Sequence, residues 1–234
     1  MKTILFVKHI SIEGPGRWEP VFQSRGYAAQ AIDLSCGDRL PADCRDFAAV
    51  VVLGGPMNVY EEETYPFLRE ENIFIKNILR EKIPYLGICL GAQLLTKAAG
   101  FWVGRSPKEE IGFYKVRLTS KGKHDILFSR VPAELNVYQW HGDMCLAPAD
   151  NVLAESEGCP VQAVKFGPAA YGLQFHAEIT QKDITDWSDA YQQPNGLLLA
   201  KKAKMLQDYR QYAPELDRTL NAVAENFLQV MSAV

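Results

Sequence analysis

The sequence predicts an α/β fold, an open three-layer sandwich in which helices cover both faces of a mostly parallel central sheet. Four short apolar runs rich in β-branched residues predict its strands: Thr3–Val7, Ala49–Leu53, Ile83–Ile88 and Ala170–Phe175. Their hydrophobicity is continuous rather than alternating, which is typical of parallel strands that are buried on both faces. Segments with helical spacing lie between these runs, as the alternation of strands and helices in such a fold requires.

Two helices are predicted between the strands. The segment Tyr65–Glu81 carries apolar residues near helical spacing among charged ones, and Leu90–Ala99 is followed by Gly100, a residue that commonly ends a helix. Between them and the last strand, the region Trp102–Leu153 favours antiparallel strands. The segments predicted there, and the hairpin that follows, are Phe113–Leu118, Asn136–Trp140, Val152–Glu155, Ala163–Phe166 and Tyr171–Phe175.

After Thr180 the sequence becomes helical. Helices are predicted over Asp183–Tyr191, Leu197–Tyr212 and Leu216–Val234, with a break at Gln193–Gly196. The 234 residues contain no repeat, low-complexity tract or evident interdomain linker. We therefore expect a single domain over residues 1–234, with a core of about residues 1–180 and a helical C-terminal extension over about residues 181–234.

Composition limits the classes of function. The net charge is −3 and no run of Lys or Arg stands out, so neither nucleic acid nor an anionic membrane is an expected partner. The longest apolar stretches are too short to cross a bilayer, and the N-terminus lacks a signal-peptide cleavage pattern. Five cysteines without a C-x-x-C pair predict neither a disulfide framework nor a structural zinc site, which favours a cytoplasmic location.

Cys89 lies in the most informative segment, Pro84–Gln93, in which a buried strand runs through Gly87 into the cysteine, then Gly91 and a helix. This G-x-C-x-G pattern is typical of a nucleophile elbow, a sharp turn that lifts a reactive side chain above the sheet. The positive end of the helix dipole would favour a thiolate there. A free cysteine taken alone is more often an inert buried thiol, and the four others keep that interpretation.

A base and its orienting group are predicted at the end of the last strand. His176 and Glu178 are two residues apart, so in an extended chain they point to the same side. The carboxylate can then fix the imidazole tautomer while the imidazole moves protons to and from sulfur. By itself this pattern is weak evidence, since a pair of surface residues would show the same spacing. The presence of Cys89 is what favours the catalytic interpretation.

The turn Gly54-Gly55-Pro56 follows another predicted strand, at the same carboxyl edge of the sheet where ligands of α/β folds gather. The backbone N–H groups of Gly55 and Leu90 are candidate oxyanion donors for a tetrahedral intermediate. Without the other motifs, a turn that only reverses the chain would be the simpler interpretation.

Four motifs occur in order along the chain: GGP at 54–56, GICLGAQ at 87–93, WHGD at 140–143 and GLQFHAE at 172–178. Together they resemble the class I (triad) glutamine amidotransferases, in particular stand-alone proteins similar to the glutaminase domain of GMP synthase. The order and spacing fit over roughly residues 1–180, and the segments at Glu110 and Glu225 support the same register.

The resemblance implies a flavodoxin-like sandwich and a Cys–His–Glu triad formed by Cys89, His176 and Glu178. It implies an oxyanion hole built from the amides of Gly55 and Leu90. No metal or organic cofactor is expected, since the four histidines show no metal-ligand spacing.

The resemblance also implies glutamine binding by Gln93 and by a loop whose backbone holds the α-amino and carboxylate groups; the loop comprises Trp140, His141, Gly142 and Asp143. His141 keeps two interpretations, a substrate-loop residue or a structural histidine that caps a turn. Many relatives carry Pro where this chain has Ala177, and Ala keeps the spacing of the His and Glu.

Three functional hypotheses follow. In the first, the enzyme hydrolyses the side-chain amide of glutamine and releases ammonia, either free or to a separate synthase subunit, since the sequence shows no synthetase domain. In the second, the same triad acts as a γ-glutamyl peptidase on γ-glutamyl amides or peptides. In the third, the scaffold is a non-catalytic binding or regulatory protein.

Overall fold

One mixed sheet organises residues 2–191 and 197–234, which are the residues described by the computed structural model. Within them, nine strands lie in the order β2-β1-β3-β4-β9-β8-β7-β5-β6. The strands β1 to β9 are Thr3–Lys8, Ala28–Asp33, Ala49–Val52, Tyr85–Ile88, Trp102–Leu118, Glu134–Leu146, Val152–Ser156, Ala163–Phe166 and Ala170–Leu173. The helices α1 to α6 are Trp18–Gln23, Phe67–Glu81, Leu90–Ala98, Ser120–His124, Gln181–Ala190 and Leu197–Ser232.

The sheet is divided between two kinds of pairing. Strands β2, β1, β3, β4 and β9 are parallel to one another, whereas β8, β7, β5 and β6 continue the sheet from β9 through antiparallel pairs. The predicted α/β class is confirmed, but "mostly parallel" describes only the half that contains β4. The long ribbon of β5 and β6 makes the other half antiparallel.

Strand β2 was not predicted from the sequence. It is the edge strand beside β1, and its residues Gln30 and Ala31 are exposed. Because few residues of this edge strand are buried, its sequence has neither a continuous apolar run nor many β-branched residues.

Apolar residues are buried on both faces of the parallel half. Along β1, Ile4 and Phe6 belong to one apolar cluster, and Leu5 and Val7 belong to another. Helices α1, α5 and α6 contribute side chains to the first cluster, and α2 and α3 contribute to the second. Burial on both faces is the physical reason for the continuous hydrophobicity of these strands.

The C-terminal extension consists of α5 and α6. Helix α5 begins with a capping box in which Thr180 and Asp183 bond each other's backbone N–H groups. Helix α6 runs without interruption from Leu197 to Ser232 and contains Pro214, so the prediction of two helices was wrong. A proline removes one helical hydrogen bond, but buried residues beyond it, such as Phe227, anchor the second half to the core. The predicted break at 193–196 lies outside the described residues.

No helix within the described ranges is long and apolar enough to span a membrane.

Two glycines allow α3 to approach the sheet closely. A Cβ on Gly91 would lie 2.1 Å from the carbonyl oxygen of Val52, and a Cβ on Gly87 would lie 2.4 Å from the backbone of Gly91. Both distances are shorter than any non-bonded contact, so only glycine fits at these positions. The turn between β4 and α3 is therefore fixed by contacts between backbones.

Replacing Gly91 by alanine should destabilise the fold by about 3 kcal/mol, because the new methyl group must push α3 away from β3. Urea unfolding measures this change. Gly14→Ala is the matched control, since a Cβ there meets nothing within 4 Å, and it should change the free energy of unfolding by about 0.5 kcal/mol or less. Equal stabilities for the two variants would contradict the assigned packing.

Candidate active site

Cys89 occupies the turn between β4 and α3 in an unusual backbone conformation. Its φ is +52° and its ψ is −104°, outside the regions that non-glycine residues prefer. Its N–H donates to Leu173 O at 2.7 Å, and its carbonyl accepts from the N–H groups of Ala92 and Gln93. Strain of this kind costs about 1–3 kcal/mol and persists where surrounding bonds impose it, most often at functional sites.

The thiol of Cys89 has polar neighbours from two segments, strand β6 and the end of β9. Its Sγ lies 3.8 Å from the carbonyl oxygen of Trp140 and 3.6 Å from Nε2 of Gln174, which is placed to donate to it. Gln174 Oε1 in turn accepts from Gln93 Nε2 at 3.2 Å. Gln174 lies inside the GLQFHAE motif, but its contact with the thiol was not predicted.

His176 and Glu178 form a close pair beyond the end of β9. The Nδ1 of His176 lies 2.6 Å from Glu178 Oε1, so a proton on Nδ1 is shared with the carboxylate. The His176 side chain and Cys89 converge on Gly54: a Cβ placed on Gly54 would lie 3.2 Å from His176 Cε1 and 3.7 Å from Cys89 Cβ. The structure therefore brings the three predicted catalytic side chains together at one edge of the sheet.

The charge state of His176 follows from its neighbours. Burial alone would lower its pKa, but the Glu178 carboxylate and the hydrogen bond with Cys89 outweigh burial and raise the pKa well above its usual value. The Trp18 indole donates to Glu178 Oε2 at 3.3 Å, and Arg17 donates to the backbone carbonyls of Ala177 and Glu178. These bonds hold the carboxylate and its strand end in place.

The predicted substrate residues Trp140 to Asp143 lie in strand β6, not in a loop as expected. Pairing of β5 with β6 shifts register between Arg105 and Glu110, opposite this segment. The loop was implied by the family resemblance; in this chain the segment stays paired with β5 on both sides of the register shift. Gln93 Nε2 donates to the Asp143 backbone carbonyl at 3.2 Å, so the predicted residues on α3 and β6 are in direct contact.

His141 is buried between two acceptors. Its Nδ1 lies 3.0 Å from the Asp143 carbonyl oxygen, and its Nε2 lies 3.1 Å from Glu110 Oε2. Both ring nitrogens are thus engaged by the protein itself.

Glu110, His141 and Cys159 place potential metal ligands within 4.8 Å of one another. The Glu110 carboxylate already accepts from Ser156 Oγ at 2.8 Å and from Gln162 Nε2 at 2.7 Å. Hydrogen bonds therefore account for this cluster without an ion.

A cavity of about 260 Å³ joins these groups. It is lined by every predicted site residue except Glu178, which lies behind His176: Gly55, Cys89, Leu90, Gln93, Trp140, His141, Gly142, Asp143 and His176. The lining residues that the sequence did not single out include Glu13, Arg105, Glu109, Trp187, Tyr191 and Leu198. Three of these come from the C-terminal extension, so that extension closes one side of the cavity.

Glu13 is a buried carboxyl group at the His176 side of the cavity. Its Oε1 accepts from the Tyr191 hydroxyl at 2.6 Å, and its Oε2 would lie 2.8 Å from a Cβ on Gly54. Burial raises its pKa, although the bond from Tyr191 and the nearby His176 and His9 oppose that rise. No sequence pattern marks Glu13, because its partner lies 178 positions away in the chain.

Comparison with known proteins identifies related chains. The family model for glutamine amidotransferase class-I matches residues 27–186. A glutamine amidotransferase-like protein of Salmonella typhimurium, YfeJ, is 38% identical over 183 residues, covering 76% of this chain and 77% of that protein. The glutamine-hydrolysing GMP synthase of Thermosipho africanus is 36% identical over 142 residues, or 59% of this chain, but the match spans only 26% of that synthase.

A solved structure shows the same fold. The crystal structure of a glutamine amidotransferase from Thermotoga maritima superposes with a TM-score of 0.86 at 35% sequence identity, and the match covers 97% of each chain. The α/β architecture, with its large mixed sheet and its helices, is therefore shared along nearly the whole length of both chains.

Replacing Glu13 by Gln should stabilise the protein increasingly as pH rises. Because the pKa of Glu13 is raised in the folded state, wild type loses stability relative to the variant from the ordinary carboxyl pKa upward, by at most about 1.4 kcal/mol per pH unit. Below that pKa the acid is protonated in both states, and the two proteins should be similar. Urea unfolding at about pH 5 and about pH 8 measures the difference. The exposed Glu63→Gln is the control, and a pH-independent difference for Glu13→Gln would contradict the assignment.

Proposed function

Because the chain belongs to the class-I glutamine amidotransferase family, we propose that it hydrolyses the side-chain amide of glutamine through a Cys89 γ-glutamyl thioester. The products are glutamate and ammonia. The observation that carries this proposal is the placement of Cys89, at positive φ, beside the His176–Glu178 pair in a cavity. The proposal treats residues 1–234 as a single domain with a three-layer, flavodoxin-like core.

Cys89 is the proposed nucleophile at a nucleophile elbow. The turn from β4 to α3 places the thiol in the cavity at the N-terminus of a helix, where backbone N–H groups and the helix dipole stabilise negative charge. The thiolate attacks the γ-carboxamide carbon and forms a C–S bond, and the carbonyl oxygen takes up the electron pair of its π bond.

His176 is the proposed acid and base. It holds the proton taken from Cys89 and passes it to the amide nitrogen as the C–N bond breaks, so that ammonia leaves and the thioester remains. It then accepts a proton from the water that attacks the thioester, and the Cys89 thiolate is released with glutamate. Glu178 stabilises the imidazolium and fixes its tautomer across the 2.6 Å bond.

The Gly55 and Leu90 N–H groups are the proposed oxyanion hole. Both residues line the cavity, and neither N–H donates to another residue within the described parts of the chain. Donors that are held in place and have no protein acceptor are what a developing oxyanion requires.

Gln93 and the β6 segment are the proposed binding site for the amino-acid end of glutamine; the segment comprises Trp140, His141, Gly142 and Asp143. This end of the cavity also contains Arg105, whose Nε lies 3.5 Å from Asp143 Oδ1. A cation beside a carboxylate suits a zwitterionic α-amino acid, whose two charged groups need opposite partners. His141 takes a positioning role here, since both of its nitrogens are engaged by Glu110 and the strand.

The second hypothesis, a γ-glutamyl peptidase, shares the triad but needs room for a larger leaving group. The leaving nitrogen must lie next to His176, where Glu13 is also located. The leaving group of a γ-glutamyl peptide carries its own carboxylate. Glu13, whose pKa is raised by burial, offers that carboxylate no cationic partner and would repel it once ionised. Glu13 therefore favours ammonia or an uncharged or cationic amine as the leaving group.

A non-catalytic role is the third hypothesis. The strained conformation of Cys89 argues against it, because strain that serves no reaction brings only a cost in stability. For the ammonia, we propose transfer to a separate synthase subunit, which the similarity to part of GMP synthase supports. The free cysteines fit the reducing cytoplasm that we propose as the location.

Purified protein should release ammonia and glutamate in equal amounts from glutamine, and it should act more slowly on γ-glutamyl peptides than on glutamine. Coupled assays of ammonia, glutamate and released amine measure the three products. Cys89→Ala should lose all turnover, because no other group supplies the nucleophile.

The control is Cys145→Ala, which removes a buried thiol whose Sγ donates to the Ala92 carbonyl in α3 and does not line the cavity. It should retain turnover. Strong turnover of γ-glutamyl peptides with none of glutamine would replace the first hypothesis by the second, and activity of Cys89→Ala would exclude both.

A further inference from the structure

We propose that the buried pair His9–Glu71 is a positioning device that fixes the Gly54–Gly55 peptide, so that the Gly55 N–H keeps facing the cavity. This role rests on the proposed function, because it concerns the oxyanion hole of that reaction. Neither residue was singled out from the sequence, and neither lines the cavity.

The pair links three elements of the fold. His9 follows β1, Glu71 lies on α2, and Gly54 follows β3. The His9 Nδ1 lies 2.8 Å from the Gly54 carbonyl oxygen, and its Nε2 lies 3.0 Å from both carboxylate oxygens of Glu71. Both side chains are fully buried. The orientation of the imidazole ring is therefore set by α2 and transmitted to the glycine turn.

The hydrogen bond from His9 to the Gly54 carbonyl also fixes the direction of the Gly55 N–H, because both groups belong to one planar peptide. No cis peptide bond occurs within the described residues, so the carbonyl of Gly54 and the N–H of Gly55 point in opposite directions from one plane. The carbonyl points to His9. The N–H must then point away from His9, and Gly55 lines the cavity on that side.

The turn needs an external anchor because it consists of two glycines. A Cβ on Gly54 would lie 2.8 Å from Glu13 Oε2, and a Cβ on Gly55 would lie 3.0 Å from both His9 Cβ and Leu90 Cδ2. A side chain at either position would therefore have to displace these neighbours. Glycine has more backbone conformations available than any other residue, so a hydrogen bond to the peptide itself is the remaining way to hold it.

The chemistry of the pair makes the bond to Gly54 obligatory. A carbonyl oxygen and a carboxylate are both acceptors, so His9 must donate from both nitrogens, and the imidazolium is the form that does so. Burial lowers the pKa of His9, but Glu71, the Gly54 carbonyl and Glu13 outweigh it and raise the pKa. A ring rotated away from Gly54 would leave a buried donor unpaired, which costs about 1–3 kcal/mol.

Two substitutions separate the two bonds of His9. In Glu71→Gln, the new amide can donate to Nε2, so a neutral His9 still donates from Nδ1 to Gly54. In His9→Gln, the amide takes the place of Nε2 and keeps Glu71 paired, but the donor to Gly54 is lost. Each variant introduces the same neutral amide side chain at one end of the buried pair.

The readouts are kcat and KM for glutamine, with urea unfolding as the check on folding. His9→Gln should lower kcat by about 10²-fold, the effect of losing one oxyanion donor, and should leave KM within about threefold. Glu71→Gln should keep kcat within about threefold of wild type. Alkylation of Cys89 by iodoacetamide should proceed at the same rate in all three proteins, because that reaction forms no oxyanion.

Several outcomes would overturn the proposal. These are an unchanged kcat for folded His9→Gln, an equal loss of kcat in both variants, or a loss that appears in KM alone. If His9→Gln does not fold, the double variant His9→Phe/Glu71→Met replaces the pair by apolar groups and should show the same loss of kcat.

If wild type turns over no γ-glutamyl substrate, the proposed function fails. Crystal structures of the variants then test the positioning role independently of any catalytic activity. A Gly54 carbonyl turned out of its wild-type direction in His9→Gln, but not in Glu71→Gln, supports it. An unchanged peptide in His9→Gln overturns it.

Discussion

The contact of the α3 backbone with the ends of β3 and β4 is the constraint on which the site depends. The Gly91 N–H donates to Leu53 O at 3.2 Å, and the Cys89 N–H donates to Leu173 O at 2.7 Å. These bonds tie the turn to the strand on either side of β4. As a result, the cysteine, the glycine turn after β3 and the strand end that carries His176 meet at one edge of the sheet.

The ionisable groups around this turn are arranged in pairs, one beside the thiol and one farther from it. His176 is paired with Glu178, and His9 is paired with Glu71 behind the glycine turn. Glu13 lies between the two histidines and is held by a tyrosine of the C-terminal extension. Buried ionisable groups are costly unless they are paired, so their concentration at this edge is a physical indication of a site that does chemistry. The extension takes part in the site as well as covering an apolar face.

The features that could be predicted from the sequence are those marked by a local pattern of residues. Cys89 is marked by its two glycines, and His176 and Glu178 are marked by a two-residue spacing in an extended segment, so each could be found without knowledge of the fold. The pair His9–Glu71 spans 62 positions and the bond from Tyr191 to Glu13 spans 178, and no local pattern encodes such contacts. Strand β2 lacked an apolar run because it is an edge, and the continuity of α6 through Pro214 depends on tertiary packing that propensities do not contain.

The most direct measurement is the mass of the protein during turnover. Wild-type protein mixed with glutamine, quenched in acid within one turnover and digested, should carry one γ-glutamyl group on the peptide that contains Cys89, as a thioester cleaved by hydroxylamine. The modified fraction should rise and decay at rates that account for the steady-state release of glutamate. Turnover without any adduct on Cys89, or an adduct only on another residue, would contradict covalent catalysis at this turn.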